Sequence, residues 1–413
     1  MTEEYSKKID RTVYLLGSAR FIRAFGRTAS FIFLPVILFL YYHLSLIQIG
    51  IFSGFATLIM AIIQYYSGKL TDKIGRRKLL ILIPPPVAIL YFLMFEAILQ
   101  SANYIVIISI WYLTVIFNAL QFPAIQASVA DVTSKQQRLK GFTIVRLFVN
   151  SGAAAGPLLG AFVGTINLSY IFLLTAVATL IELAVLFLAL KETYLPPLKI
   201  EKRRFTTAFK KSSFLLWFSI IGIVFSFLLR QRGTTLTLFV FAFRGMTLID
   251  IGLIYSLNGL IVVILQYPIF HLMSTKSNFI YWRGVGTAIY SASYALVGLI
   301  FGLYGYLFLM GIMTVGEDFV SPTTETIITS IAPLDSRGTY IGTYNMLTSI
   351  GSFLGSIIGL YFLEYFVTVP EIFWLAMAIG LSIISIAYVL QFPSYRREMQ
   401  AGTLTSDKDI RGG

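Results

Sequence analysis

Gly68-Lys69-Leu70-Thr71-Asp72-Lys73-Ile74-Gly75-Arg76-Arg77-Lys78 is a short cationic interruption between two apolar stretches, residues 47–67 and 79–100. Its glycines allow a tight turn, and its aspartate sits among five cations. A membrane-crossing helix needs about 20 mostly apolar residues. Working outward, such stretches read at 13–42, 47–67, 79–100, 104–130, 140–165, 168–190, 214–243, 248–272, 281–302, 304–331, 339–367 and 371–393. Hydrophobic residues make up 57% of the 413 and charged ones 12%, so the solvent of this chain is lipid. The expected class is an all-α membrane protein with twelve transmembrane helices.

Most of the 32 basic residues fall in the two tails or in the loops after every second span, among them Lys69, Lys73, Arg76, Lys135, Lys276, Arg283 and Arg337. That asymmetry places both termini in the cytoplasm. The net charge of +13 therefore reads as orientation and attraction to anionic lipid, with no nucleic-acid partner implied. Lys7, Lys8 and Arg11 precede an apolar stretch too long for a cleaved signal, so the N-terminus is expected to remain. The chain has no cysteine, and His43 and His271 lie near span ends. Neither a metal site nor a cofactor is expected, and carboxylates must carry any proton.

The stretch 191–213 holds seven basic residues around Pro196-Pro197 and divides six spans from six. Residues 1–190 are expected to form one six-helix bundle and 214–413 a second with a short cytoplasmic tail, joined by this linker. A shift of 202 lays Leu46-Ile47-Gln48-Ile49-Gly50 on Leu248-Ile249-Asp250-Ile251-Gly252. A shift of 199 lays Pro123 on Pro322, Arg138 on Arg337, and Gly152, Gly156 and Gly160 on Gly351, Gly355 and Gly359. The halves read as a parallel repeat, which puts the substrate path between them near mid-membrane.

Gly68 to Lys78 resembles motif A of the major facilitator superfamily, G-x-L-a-D-r-x-G-R-r. Span 5 carries Gly152, Gly156, Pro157 and Gly160, which resemble motif C of the drug/proton antiporter branch. Small residues four apart give a flat face for close helix contact, and the proline bends the span. The resemblance covers the whole chain and implies two pseudo-symmetric six-helix bundles, with spans 1, 4, 7 and 10 lining a cavity and 3, 6, 9 and 12 supporting it. It also implies a cytoplasmic latch of Gly68, Asp72, Gly75 and Arg76 with Asp131 at the inner end of span 4. Motif B departs from the pattern, because span 4 contains no arginine.

Charges within spans face the protein interior or water, and they tend to pair. Arg20, Arg23 and Arg27 share one face of span 1, Arg146 enters span 5, and Arg230 and Arg232 lie in span 7. On span 10, Thr314, Asp318, Ser321 and Glu325 follow a stripe, with Glu317 beside it. Glu182 on span 6 reads as structural. Under the 199 shift Asn118 matches Glu317, so a proton-carrying carboxylate, Glu317 or Asp318, is expected in the C-terminal half, opposed by Arg27 and by Arg230 or Arg232. The resulting expectation is a monomeric secondary transporter of the cell membrane that exports small amphipathic molecules against protons by alternating access. Uptake or exchange of an organic anion is the alternative, and a non-transporting receptor a remote one. Neither G-x-x-x-x-G-K-[ST], H-E-x-x-H nor G-x-S-x-G occurs, so no enzyme is expected and no catalytic residue is assigned.

The cysteine-free background allows a direct test of the orientation. Lys202→Cys is expected to react with a membrane-impermeant thiol reagent only after cells are opened; reaction from outside intact cells would reverse the topology.

Overall fold

A computed structural model describes residues 9–134, 137–193, 212–275, 278–332, 337–366 and 368–399. Among them every regular element is a helix, as lipid demands of a chain whose backbone groups must be satisfied within each segment. The order is α1 (Arg11–Phe31), α2 (Leu34–Leu40), α3 (Leu46–Ile74), α4 (Arg76–Leu82), α5 (Pro84–Leu99), α6 (Tyr104–Asp131), α7 (Arg138–Ile166) and α8 (Tyr170–Ala189). The second half continues with α9 (Ser213–Leu229), a 3-10 turn (Arg230–Arg232), α10 (Thr234–Ala242), α11 (Leu248–Thr275), α12 (Phe279–Val297), α13 (Gly302–Ile331), α14 (Arg337–Tyr365) and α15 (Pro370–Leu390). Lys202 and most of the linker around it lie outside the described residues.

Eleven helical stretches among the described residues are long and apolar enough to cross a membrane. The ninth expected span, α12, is helical but less apolar, for a physical reason. Its buried side carries Arg283, Thr287, Ser291 and Ser293. Arg283, read from the sequence as a cytoplasmic flanking cation, is instead 1% exposed within the helices.

Spans 1 and 7 are each broken. α1 gives way to α2 at Phe33, just before Pro35, while α9 tightens into the 3-10 turn and resumes after Gly233. Residues 31–33 and 233–235 are 202 apart, so the interruptions fall at one place of the repeat.

The chain divides into two units. The first comprises residues 1–45, 58–198 and 237–263. In it, α7 lies against α1 through its glycines: a methyl group on Gly152 would meet the Phe21 carbonyl and the Phe25 nitrogen, one on Gly156 the Thr28 hydroxyl and Phe25 carbonyl, and one on Gly160 the Ala29 backbone. Pro157 faces another way, since a methyl on Gly252 would stand 2.9 Å from its carbonyl oxygen, and the Leu158 N–H donates to the Ser256 hydroxyl at 3.1 Å.

The second unit comprises residues 46–57, 199–236 and 264–413. Gly351 and Gly355 meet the carbonyls of Ile223 and Phe227 as Gly152 and Gly156 meet those of Phe21 and Phe25. The partners of these glycines are 202 apart while the glycines are 199 apart, which extends the repeat to the α1–α7 and α9–α14 pairs. At Gly359 the neighbour is the buried Gln231 side chain, whose Nε2 donates to the carbonyls of Phe227 and Gly355.

Filling the α1–α7 contact should separate the two backbones. Gly156→Leu is expected to cost about 1–3 kcal/mol, the usual penalty of overpacking, read as a lower thermal midpoint in detergent. Wild-type stability in that variant would mean that the glycine face is not a packing surface.

Candidate functional site

Charged clusters lie in both units and differ in how open they are. In the first, Arg23 of α1 donates through Nη1 to Glu182 of α8 at 2.5 Å and through Nη2 to Asn118 of α6. The second Glu182 oxygen accepts from Gln121 at 3.1 Å. Arg23 and Glu182 are 6% and 0% exposed, so the pair is sealed within the helices and serves as a staple. Of the three arginines that share one face of span 1, Arg23 is buried, Arg20 half-buried and Arg27 exposed.

In the second unit, Arg232 at the end of the 3-10 turn donates to Glu317 of α13 in a two-pronged pair, at 2.5 Å and 3.2 Å. Here the side chains are 22% and 29% exposed. Arg232 also donates to the Tyr290 hydroxyl of α12 at 3.3 Å. Arg230, two residues earlier, turns to α14 and donates to the Ser356 hydroxyl at 2.8 Å.

Glu317 and Arg232 line a cavity of about 230 Å³ together with Arg283, Tyr290, Ser321 and Tyr344. The polar stripe of α13 is therefore split. Thr314 and Asp318 are buried, Glu325 is exposed, and it is Glu317, Ser321 and Thr324 that face the cavity. Asp318 is one residue, about 100° of helix, from Glu317. Tyr290 and Arg283 were absent from the sequence-derived site because spans 3, 6, 9 and 12 were assigned to support. Polar residues recurring along α12 are the sequence signal for them.

The repeat relates the two clusters. Tyr91 and Tyr290 are 199 apart, as are Asn118 and Glu317, while Ser30 and Arg232 are 202 apart. Tyr91 stands within reach of Asn118 and Ser30, as Tyr290 stands beside Glu317 and Arg232. One frame is occupied by neutral groups in the first half and by an acid and a base in the second.

The cationic loop after α3 is held by α6 and by the segment after α8. Arg76 Nε donates to Asp131 at 3.0 Å. Glu192, which the sequence did not single out, accepts from the backbone N–H groups of Arg76 and Arg77 at 3.2 Å and 3.3 Å, where the start of α4 favours negative charge. Arg77 in turn donates to the carbonyls of Leu190 and Phe187 at the end of α8. Gly75 has φ of +94°, a conformation side chains disfavour. Gly68 and Asp72 both lie in α3, and the Asp72 side chain is outside what the structure describes.

A family model described as Major Facilitator Superfamily matches residues 16–356. Among curated proteins, the chain is 24% identical to the uncharacterized MFS-type transporter YqjV of Bacillus subtilis (strain 168), over 88% of this chain and 90% of that one. It is 25% identical to Multidrug resistance protein 1 of the same organism, over 83% and 87%. It is 22% identical to the quinolone resistance protein NorA of Staphylococcus aureus (strain Mu50 / ATCC 700699), over 86% and 89%. Among solved structures, a POT family transporter in complex with a thioalcohol-conjugated peptide matches with a TM-score of 0.81 at 16% identity, over 93% of this chain and 96% of that one. The human organic anion transporter MFSD10 (TETRAN) matches with a TM-score of 0.67 at 15% identity, over 93% and 99%. These structures share the fold.

The two ion pairs should respond differently to loss of their acid. Glu182→Gln strands Arg23 without its buried counter-charge and is expected to cost about 3–5 kcal/mol, whereas Glu317→Gln should leave the thermal midpoint nearly unchanged. Equal destabilisation by the two would show that both pairs are staples.

Proposed function

The chain belongs to the major facilitator superfamily, and from that premise we propose that it is a proton-coupled exporter of small amphipathic molecules, with Glu317 as the proton carrier. The observation that carries this reading is the Arg232–Glu317 pair: two-pronged, partly exposed and lining a cavity, unlike the sealed Arg23–Glu182 pair. A proton arriving on Glu317 cancels its charge and releases Arg232; loss of that proton restores the pair. Arg232 ends the 3-10 turn that interrupts span 7, so the change in pairing acts where that helix is already broken. Alternation then follows if substrate and proton favour different conformations. The six-helix halves, residues 1–190 and 214–413, are the proposed moving bodies, with the linker and both termini cytoplasmic in the plasma membrane.

Arg76 and Asp131 form the proposed cytoplasmic latch, with Glu192 holding the start of α4 in register. The names of the multidrug and quinolone resistance relatives support export. Uptake or exchange of an organic anion stays the second reading, because two guanidinium groups, Arg232 and Arg283, face the cavity.

Proteoliposomes with an imposed pH gradient and a panel of cationic, neutral and anionic amphipathic dyes test the proposal. Wild type should accumulate at least one dye against its own gradient. Glu317→Gln should abolish that accumulation and keep downhill exchange of the same dye; accumulation with unchanged dependence on the pH gradient would remove Glu317 as carrier. Asp131→Asn should slow transport severalfold in a folded protein, and normal flux would dismiss the latch.

A further inference from the structure

The cavity of the second unit holds one cation that the proton chemistry above leaves unused. Arg283 is 1% exposed and reaches the cavity wall. Its guanidinium lies 4.6 Å from the ring centre of Tyr388, 5.1 Å from Phe225 and 5.2 Å from Phe218. Its acceptors are neutral: the hydroxyls of Tyr344 and Tyr388 at 3.0 Å and 3.1 Å, the Val320 carbonyl at 3.4 Å and the Thr324 hydroxyl. Its Nε–H is buried without an acceptor.

Aromatic faces attract a cation but do not cancel its charge. A guanidinium in a low-dielectric interior calls for a counter-ion. Arg23 has one in Glu182, and Arg232 has one in Glu317. Among the described residues no carboxylate is paired with Arg283, and Asp318, buried beside Glu317 in sequence, does not line the cavity. Thr324 and Tyr344 both accept from Arg283 and both face the cavity. The Thr324 hydroxyl gives its own proton to the Val320 carbonyl at 3.3 Å; a hydroxyl that accepts from a cation becomes a stronger donor, so Tyr344 carries the positive potential to the cavity surface. Phe225, Leu229 and Val320 supply an apolar wall next to them.

We propose that Arg283, acting with Tyr344, anchors the acidic group of the transported molecule, and that the substrates are amphipathic organic acids whose aryl or alkyl body lies on the apolar wall. This inference rests on the transporter reading and names the substrate class of the same cavity. The counter-ion that Arg283 lacks among the described residues is the ligand's own, while Arg232 stays engaged with Glu317. The rival account is a strut: Arg283 only ties α12 to α13, α14 and α15.

Binding of naphthoate and of its uncharged counterpart naphthamide to the purified full-length protein separates these accounts, by equilibrium dialysis and by ligand-induced shift of the thermal midpoint. Wild type should prefer the acid by about tenfold, the size of one charge-assisted hydrogen bond. Arg283→Gln should bring naphthoate down to the naphthamide level and leave naphthamide unchanged. Should that variant fail to fold, Tyr344→Phe decides: it keeps the guanidinium buried and should reduce the preference severalfold at an unchanged naphthamide affinity. The proposal is overturned by a wild type that does not distinguish acid from amide, by a preference that survives substitution, or by an equal loss of both ligands, which marks a strut. Binding needs no gradient, so absence of proton-driven export would leave this result intact, and a failed preference would leave the export reading intact.

Discussion

A guanidinium placed inside a bundle of helices must receive from the protein the hydrogen bonds and counter-charge that water supplies elsewhere. This chain meets that demand in three ways. Arg23 has a sealed carboxylate, Arg232 a half-open one, and Arg283 a cage of rings and hydroxyls with no acid paired to it among the described residues. The rest of the candidate site follows from those differences. A sealed pair fixes helices, whereas the half-open pair and the caged cation both line the cavity.

Close backbone approach is the second constraint. The carbonyls of Phe21 and Phe25 on α1, and of Ile223 and Phe227 on α9, lie where side chains on α7 and α14 would stand, and glycine alone leaves that space. Each glycine is met by a residue at the matching place of the repeat, so the contact is common to the two halves. What diverged is the polar frame. Tyr91, Asn118 and Ser30 are neutral, while beside Tyr290 the matching places hold an acid, Glu317, and a base, Arg232.

The loop after α3 shows how a short motif acquires its partners from far along the chain. Arg76 finds Asp131, Arg77 finds the last carbonyls of α8, and Glu192 finds the first N–H groups of α4. Each contact joins a charge to a helix end or to an opposite charge, so the loop is fixed by electrostatics at the rim, where apolar packing has run out.

The sequence by itself determined the spans, the repeat and the glycine face, because apolar length and four-residue spacing are local properties that need no knowledge of neighbours. It also matched Glu317 to Asn118, since a repeat offset is arithmetic. Only the tertiary structure decided which charges meet. The rotation of each helix separates Asp318, buried, from Glu317 at the cavity, and takes Arg283 from the expected cytoplasmic rim into an aromatic cage. It also paired Arg232 with Glu317 and turned Arg230 toward Ser356. One residue along a helix is about 100° of turn, and no pattern within one segment says which way its neighbours lie.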